Sequence, residues 1–291
     1  YQEMVANGNS KMRAFGRYLG NRYKNFSHIL WLHGGDYNPP NTALFREMAL
    51  GIREIDTHSL MSAHCDSETA AADYWGGETW LQINNVYTYN PVYSAALAQY
   101  ARADQMPFFL LESAYENESA NEQRVRTQAY HALLSGAAGQ VFGNNPIWHF
   151  SGPGLFATSI TWQQALNSGG SQSMTHVRSL FAVRSWWTLE PDTASTTLTA
   201  GLSSGQDRAV AARASDRSFA IAYLPSMRTV TVDLGQLAGP KVNARWYDPA
   251  NGSYATITGS PYLASSSQTF LPVSNNSANF GDWVLVLESV Q

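Results

Sequence analysis

Apolar residues in the first half of the chain fall into two alternating textures. Short continuous apolar runs read as strands, and longer stretches with apolar residues every three or four positions read as helices. Met12, Phe15, Leu19 and Tyr23 lie on one stripe of a helix over 11–24. A strand over 27–33 follows, then the loop Gly34-Gly-Asp-Tyr-Asn-Pro-Pro40 and a helix from Thr42 to about Ile55. A strand at Leu60–His64, a strand at Trp80–Tyr87 and a helix at Val92–Ala103 come next. Pro107–Glu112 is a strand, 121–137 a helix, and Gly139–Trp148 a fifth strand ending at Asn144 and Asn145. Strand and helix thus alternate through the first 150 residues, which predicts βα units and a parallel sheet with right-handed crossovers.

The texture changes near residue 190. A last helix over 176–189 gives way to short alternating runs at 209–214, 219–224, 229–234, 242–247, 254–258, 269–272 and 283–287. Asp248-Pro-Ala-Asn-Gly252 marks a turn between two of them. The expectation is an α/β segment over 1–190 and an antiparallel β-sandwich over 191–291, with the boundary at 190–196. Five strands do not close an eight-stranded barrel. Either the sheet is open, or three further βα units precede residue 1; the second is preferred.

Composition narrows the chemistry. Net charge is −4 with 14% charged residues, so no basic footprint for nucleic acid is present. Aromatic residues make up 12%, a surface suited to stacking on sugar rings. The single cysteine, Cys65, excludes an internal disulfide and a cysteine-based zinc site. No apolar run is long enough for a membrane span. His33, His64 and Asp66 match no metal-site spacing, so neither metal nor cofactor is expected.

Two strands of like design carry the candidate chemistry. Ile29–Asp36 and Phe108–Glu116 each end an apolar run in a carboxylate, Asp36 and Glu112. In an α/β barrel, polar residues at strand carboxyl ends are where catalysis sits. Glycoside hydrolysis needs two carboxyl groups flanking one anomeric carbon, roughly 5–5.5 Å apart for retention or about 6.5–9.5 Å for inversion. The spacing in sequence decides neither. His33, His64, Asn84, Asn85, Tyr87, Tyr115, Glu116, Asn144 and Trp148 lie at or just past the same strand ends. Amide, imidazole and ring groups of that kind bind sugar hydroxyls and faces. Glu116 also reads as a supporting carboxylate or a helix N-terminal charge, or as the partner of Glu112 in a different hydrolase.

Gly16-Arg-Tyr-Leu-Gly-Asn-Arg-Tyr, Trp31-Leu-His-Gly-Gly-Asp36, Glu112-Ser-Ala-Tyr-Glu116 and Gly136-Ala-Ala-Gly-Gln-Val-Phe-Gly-Asn144, with Ile147-Trp148, resemble the apiosidase-like glycoside hydrolases of family 140. Arg245-Trp-Tyr-Asp-Pro-Ala-Asn-Gly252 and Asp282–Glu288 resemble the collagen-binding-type sandwich that follows that family's (β/α)8 barrel. The resemblance implies a retaining mechanism with Asp36 as acid/base and Glu112 as nucleophile, and a chain without the family's first three barrel units. It leaves open apiose, another pentofuranose or a pyranoside as the sugar. The expectation is a secreted or periplasmic exo-glycosidase acting on a plant-wall or microbial glycan. The alternative is a non-catalytic carbohydrate- or matrix-binding protein on the same scaffold.

Overall fold

The computed structural model describes residues 1–151 and 156–290. They form two compact units, Tyr1–Tyr87 with Ala103–Leu111, and Thr88–Arg102 with Glu112–Gln291.

In the first unit, helix α1 (Gln2–Tyr23) starts earlier than its stripe predicts. Its two pieces are joined at Gly8, whose backbone (φ 74, ψ 171) leaves the helical region. Strand β1 (Leu30–Gly34) is followed by α2 (Thr42–Arg53), β2 (Leu60–His64), α3 (Ala71–Trp75) and β3 (Asn84–Tyr87). The N-cap residue of α2 is Asn41, and its side chain makes no capping bond. β1 and β2 are parallel and in register from Leu30↔Leu60 to Gly34↔His64. The predicted strand over 80–87 forms only in its second half. The N–H groups of Gln82 and Ile83 both turn onto one carbonyl, that of Met61, which breaks the ladder there. Met12, Leu44, Phe45, Ile52, Met61, Trp75 and Trp80 fill the core.

α1 and α2 meet at backbone distance. A Cβ on Gly16 would lie 2.1 Å from the Met48 carbonyl oxygen, and one on Gly51 would lie 2.3 Å from that of Arg13. Only hydrogen fits at either position.

The second unit contains α4 (Val92–Tyr100), the last residue of β4 (Phe108–Glu112), α5 (Glu122–Leu133), α6 (Trp162–Ala165), α7 (Gly169–Ala182) and the β-domain. β4 pairs with β3. The region 139–148 is not the strand expected: it carries isolated bridges, one joining Asn144 to Glu116, and ends in a 3-10 turn at Ile147–His149. α7 begins seven residues before the predicted start of the last helix. Gly169-Gly170 discourages helix, but the Ser168 side chain accepts the Ser171 N–H and caps it.

Strands β5 (Leu189–Pro191), β6 (Leu198–Ala200), β7 (Val210–Ala214), β8 (Phe219–Leu224), β9 (Val230–Asp233), β10 (Lys241–Tyr247), β11 (Tyr254–Thr256), β12 (Tyr262–Leu263), β13 (Ser267–Phe270) and β14 (Trp283–Val290) follow. They form a seven-stranded sheet, β11-β10-β14-β8-β7-β5 with β12 on β10, and a three-stranded sheet, β13-β9-β6. Pairing is antiparallel wherever the register is defined. One face of the larger sheet packs on the smaller through Ala222, Val232, Trp246, Phe270 and Leu285. The other packs on α5 and α7 through Tyr130, Leu134, Leu180, Ile221 and Val286. Cover on both faces explains why all six residues of β8 are buried, where a one-sided strand would alternate.

Arg126 of α5 and Asp282, just before β14, form a fully buried bidentate ion pair at 2.8 and 2.9 Å. Tyr223 Oη donates to Asp282 at 3.0 Å and Asn276 Nδ2 at 2.7 Å. Among the described residues no helix is long and apolar enough to cross a membrane.

Candidate active site

Asp36 stands on a loop that the first unit builds from backbone contact. Gly34 (φ 98) lies so close to β2 that a Cβ there would be 2.8 Å from the His64 carbonyl oxygen. Asp36 is itself left-handed (φ 55), a conformation Asp tolerates better than most residues, and it is exposed. The loop is fastened by Asn38, whose Oδ1 accepts the Asp66 N–H at 3.0 Å and whose Nδ2 donates to Thr69 Oγ1 at 3.3 Å. Tyr74 adds a 2.6 Å bond from its hydroxyl to the Pro39 carbonyl.

The other predicted residues of this unit lie deeper. His33 is buried edge-on to Trp80, 5.0 Å between ring centres. Burial, with the charge of Arg53 adding to it, pushes its imidazole down to about 4, so the ring is neutral at physiological pH. Asn84 is buried, its Oδ1 accepting the Ala72 N–H at 2.9 Å inside α3. Asn85 Nδ2 donates to Ser62 Oγ and to the Ala63 carbonyl, at 2.9 and 2.6 Å. It stitches β3 to β2. His64 is half-buried and edge-on to the buried Tyr87 at 5.5 Å.

In the second unit, Glu112 is half-buried at the tip of β4 and accepts a 3.0 Å hydrogen bond from the Tyr115 hydroxyl on Oε1. Burial, and then the charge of Glu112, raises the Tyr115 phenol above its ordinary range. It therefore keeps its proton at neutral pH and remains a donor. The Tyr115 ring lies against Gly143, where a Cβ would sit 2.4 Å from it.

Glu116 faces the protein. Its Oε2 accepts from Asn144 Nδ2 at 2.8 Å and Ser168 Oγ at 2.5 Å, and its Oε1 accepts the Gly170 N–H at 2.7 Å. A carboxylate at the first turn of α7 meets unsatisfied N–H groups and the positive end of the helix dipole. Of the two readings of Glu116, this geometry matches the helix-terminus carboxylate. Asn144 is buried with it, while Trp148 is 43% exposed.

Ser168, Gly170 and His149 also lie here and did not stand out in the sequence, while Asn145 was read only as the end of a strand. Of the first three, only Ser168 had a readable signal, a capping residue ahead of a helix. Asn145 ties the parts together. Its N–H donates to the Glu116 carbonyl at 2.9 Å, and its Oδ1 meets His149 Nε2 at 2.6 Å.

Residues 2–188 match the model "Apiosidase-like, catalytic domain", and 191–288 match "Putative collagen-binding domain of a collagenase". A solved glycoside hydrolase family 5 protein from Bacteroides vulgatus ATCC 8482 aligns with a TM-score of 0.87 at 25% identity, over 98% of this chain and 68% of its own. A second structure, described as a glycoside hydrolase, aligns with a TM-score of 0.86 at 24% identity, over 97% and 69%. No curated protein matches the sequence. With the catalytic-domain model spanning well over half its length, the chain belongs to the apiosidase-like family and is a glycoside hydrolase acting on carbohydrate.

Proposed function

We propose that the chain is a retaining exo-glycosidase that releases a terminal pentofuranose, apiose or arabinose, from a plant-wall or microbial glycan. The observation that carries this reading is the Tyr115 hydroxyl on Glu112 Oε1. A carboxylate held at a strand end by a phenol that keeps its proton is fixed in one orientation, as a nucleophile requires. In the first step a Glu112 oxygen bonds to the anomeric carbon as the bond to the leaving oxygen breaks, and Asp36 gives that oxygen its proton. In the second, water attacks the anomeric carbon and passes a proton to Asp36, and the ester to Glu112 breaks. Asp36 on its solvent-facing loop can exchange protons with water between the two steps.

Replacing Glu112 by Gly and adding azide tests the assignment. The expected product is a glycosyl azide of inverted anomeric configuration, formed many-fold faster than the variant hydrolyses substrate. Full turnover by Glu112→Gln on aryl pentofuranosides would refute it. Such substrates lie outside the cytoplasm, so we propose a secreted or periplasmic location, tested by immunodetection in fractionated cells.

A further inference from the structure

The loop between β1 and α2 carries Asp36, and one further side chain holds it, that of Tyr1 at the head of α1. The Tyr1 hydroxyl accepts the Asn41 N–H at 3.0 Å, and the Tyr1 ring stands edge-on to Tyr37 with 5.9 Å between centres. Tyr1 thus touches the loop at the residue after Asp36 and at the N-cap of α2. Both rings are open to solvent, Tyr1 at 41% and Tyr37 at 48%, so the contact adds little to the apolar core. What it fixes is the loop.

Tyr1 reaches the loop because α1 is bent. The first turn is continuous with Tyr1, whose carbonyl accepts the Val5 N–H at 3.0 Å. Beyond Gly8 the helix is locked against α2 through Gly16, Gly20 and Gly51. A straight helix would carry Tyr1 along the axis set by that lock, and the Gly8 backbone (φ 74, ψ 171) sends the first turn elsewhere. Asn7 braces the bend: its Nδ2 donates to the Glu3 carbonyl at 2.7 Å, and its Oδ1 accepts from Lys11 Nζ at 3.3 Å. Glycine alone holds those backbone angles without strain. A Cβ at Gly8 would nevertheless meet nothing within 4 Å, whereas one at Gly16, Gly20 or Gly51 would strike the main chain of the other helix. Packing does not require glycine at position 8. The bend does.

We propose that Gly8 and Tyr1 are positioning residues for Asp36. The bend aims Tyr1 at the loop, and Tyr1 fixes the direction in which the loop presents its carboxyl group. The inference rests on the reading of Asp36 as acid/base and adds two residues to it. A general acid works only within hydrogen-bond reach of the leaving oxygen, so a loop free to turn loses proton transfer to that oxygen.

The test uses the full chain carrying Tyr1→Phe, Tyr1→Ala or Gly8→Ala; Tyr1→Phe removes the hydrogen bond and keeps the ring. Amide exchange followed by NMR should show the Asn41 N–H exchanging many-fold faster in all three than in the parent. Unchanged exchange would overturn the proposal, and this arm needs no substrate. Kinetics supply the second arm. On methyl pentofuranosides, whose leaving group departs poorly without a proton, kcat/KM should fall about tenfold in Tyr1→Ala and Gly8→Ala. On para-nitrophenyl pentofuranosides, whose leaving group departs unaided, kcat/KM should stay at the parent value, while kcat and KM fall together and added azide restores kcat. An equal loss on both substrates would mark a merely structural role and overturn the proposal. Asp36→Ala is the reference and should show the same leaving-group pattern more strongly. If it does not, the acid/base reading fails and this inference with it. If it does and the Tyr1 and Gly8 variants do not, the positioning alone fails.

Discussion

Replacing Asp282 by Asn preserves shape and removes one negative charge from the fully buried ion pair that joins α5 to the β-domain. Arg126 and Asp282 are both fully buried, joined by two short parallel hydrogen bonds, and Arg126 is further flanked by the Phe280 ring at 5.3 Å. In the variant the guanidinium loses its counter-charge in a place water does not reach. An amide NH2 also meets a site whose neighbours, Arg126, Tyr223 and Asn276, are all donors. Stranding one member of a buried pair costs about 3–5 kcal/mol. An exposed pair such as Arg17–Glu54 stays hydrated and screened by salt, and contributes far less. For a cooperative unit of roughly 150–250 residues, each kcal/mol moves the midpoint about 2–4 °C, so the expected drop is about 6–20 °C. Differential scanning calorimetry at neutral pH measures it. The double variant Arg126→Met with Asp282→Leu should recover most of the loss, because the desolvation cost of both charges disappears together. A drop under about 2 °C for Asp282→Asn, or a double variant no better than the single, would refute this account.

Gly143→Ala should push the Tyr115 ring off its seat and cut kcat on aryl glycosides about tenfold or more, with a thermal midpoint near that of the parent; unchanged kcat would show that Tyr115 does not hold Glu112. Glu116→Gln should destabilise the chain by about 1–3 kcal/mol in urea titrations, since it weakens three bonds at the start of α7; a neutral result would make those bonds incidental. His33 and His131 are both buried, and burial holds each near 4 instead of 6.5. Because the folded value is the lower one, the unfolded chain takes up the extra proton. Stability is therefore full above about pH 6.5 and falls as pH drops toward 4, by about 3 kcal/mol per histidine. NMR titration should show neither imidazole charging above about pH 5, and a signal moving near 6.5 for either would contradict the burial argument.

Legibility in the sequence followed how local each cause was. Leu60–His64 and Phe219–Leu224 were readable to the residue, because each is a compact apolar run stopped by a polar or proline neighbour. The start of α7 was not: Gly169-Gly170 argues against helix, and what secures it there includes Glu116, fifty-four residues earlier. The apolar and glycine pattern over 139–148 resembles a strand, but a strand exists only with a neighbour to complete its ladder, and neighbours are not written locally. Among the candidate residues, Asp36 and Glu112 stood out because each ends an apolar run. The different surroundings of Glu112 and Glu116 did not. Two carboxylates four residues apart look alike until one is found bound to a helix terminus and the other to a phenol.

The glycine contact between α1 and α2 reaches beyond packing. With Gly16 against the Met48 carbonyl and Gly51 against that of Arg13, the helices fit at a single offset. Sliding either by one residue, about 1.5 Å, would bring a side-chain-bearing position into a gap that admits only hydrogen. α2 starts six residues after Asp36, so this vernier fixes one end of the loop that carries the carboxylate. Attempts to re-aim the proposed acid/base, Asp36, toward a different sugar should therefore alter the loop between Gly34 and Asn41 and leave the helix pair untouched.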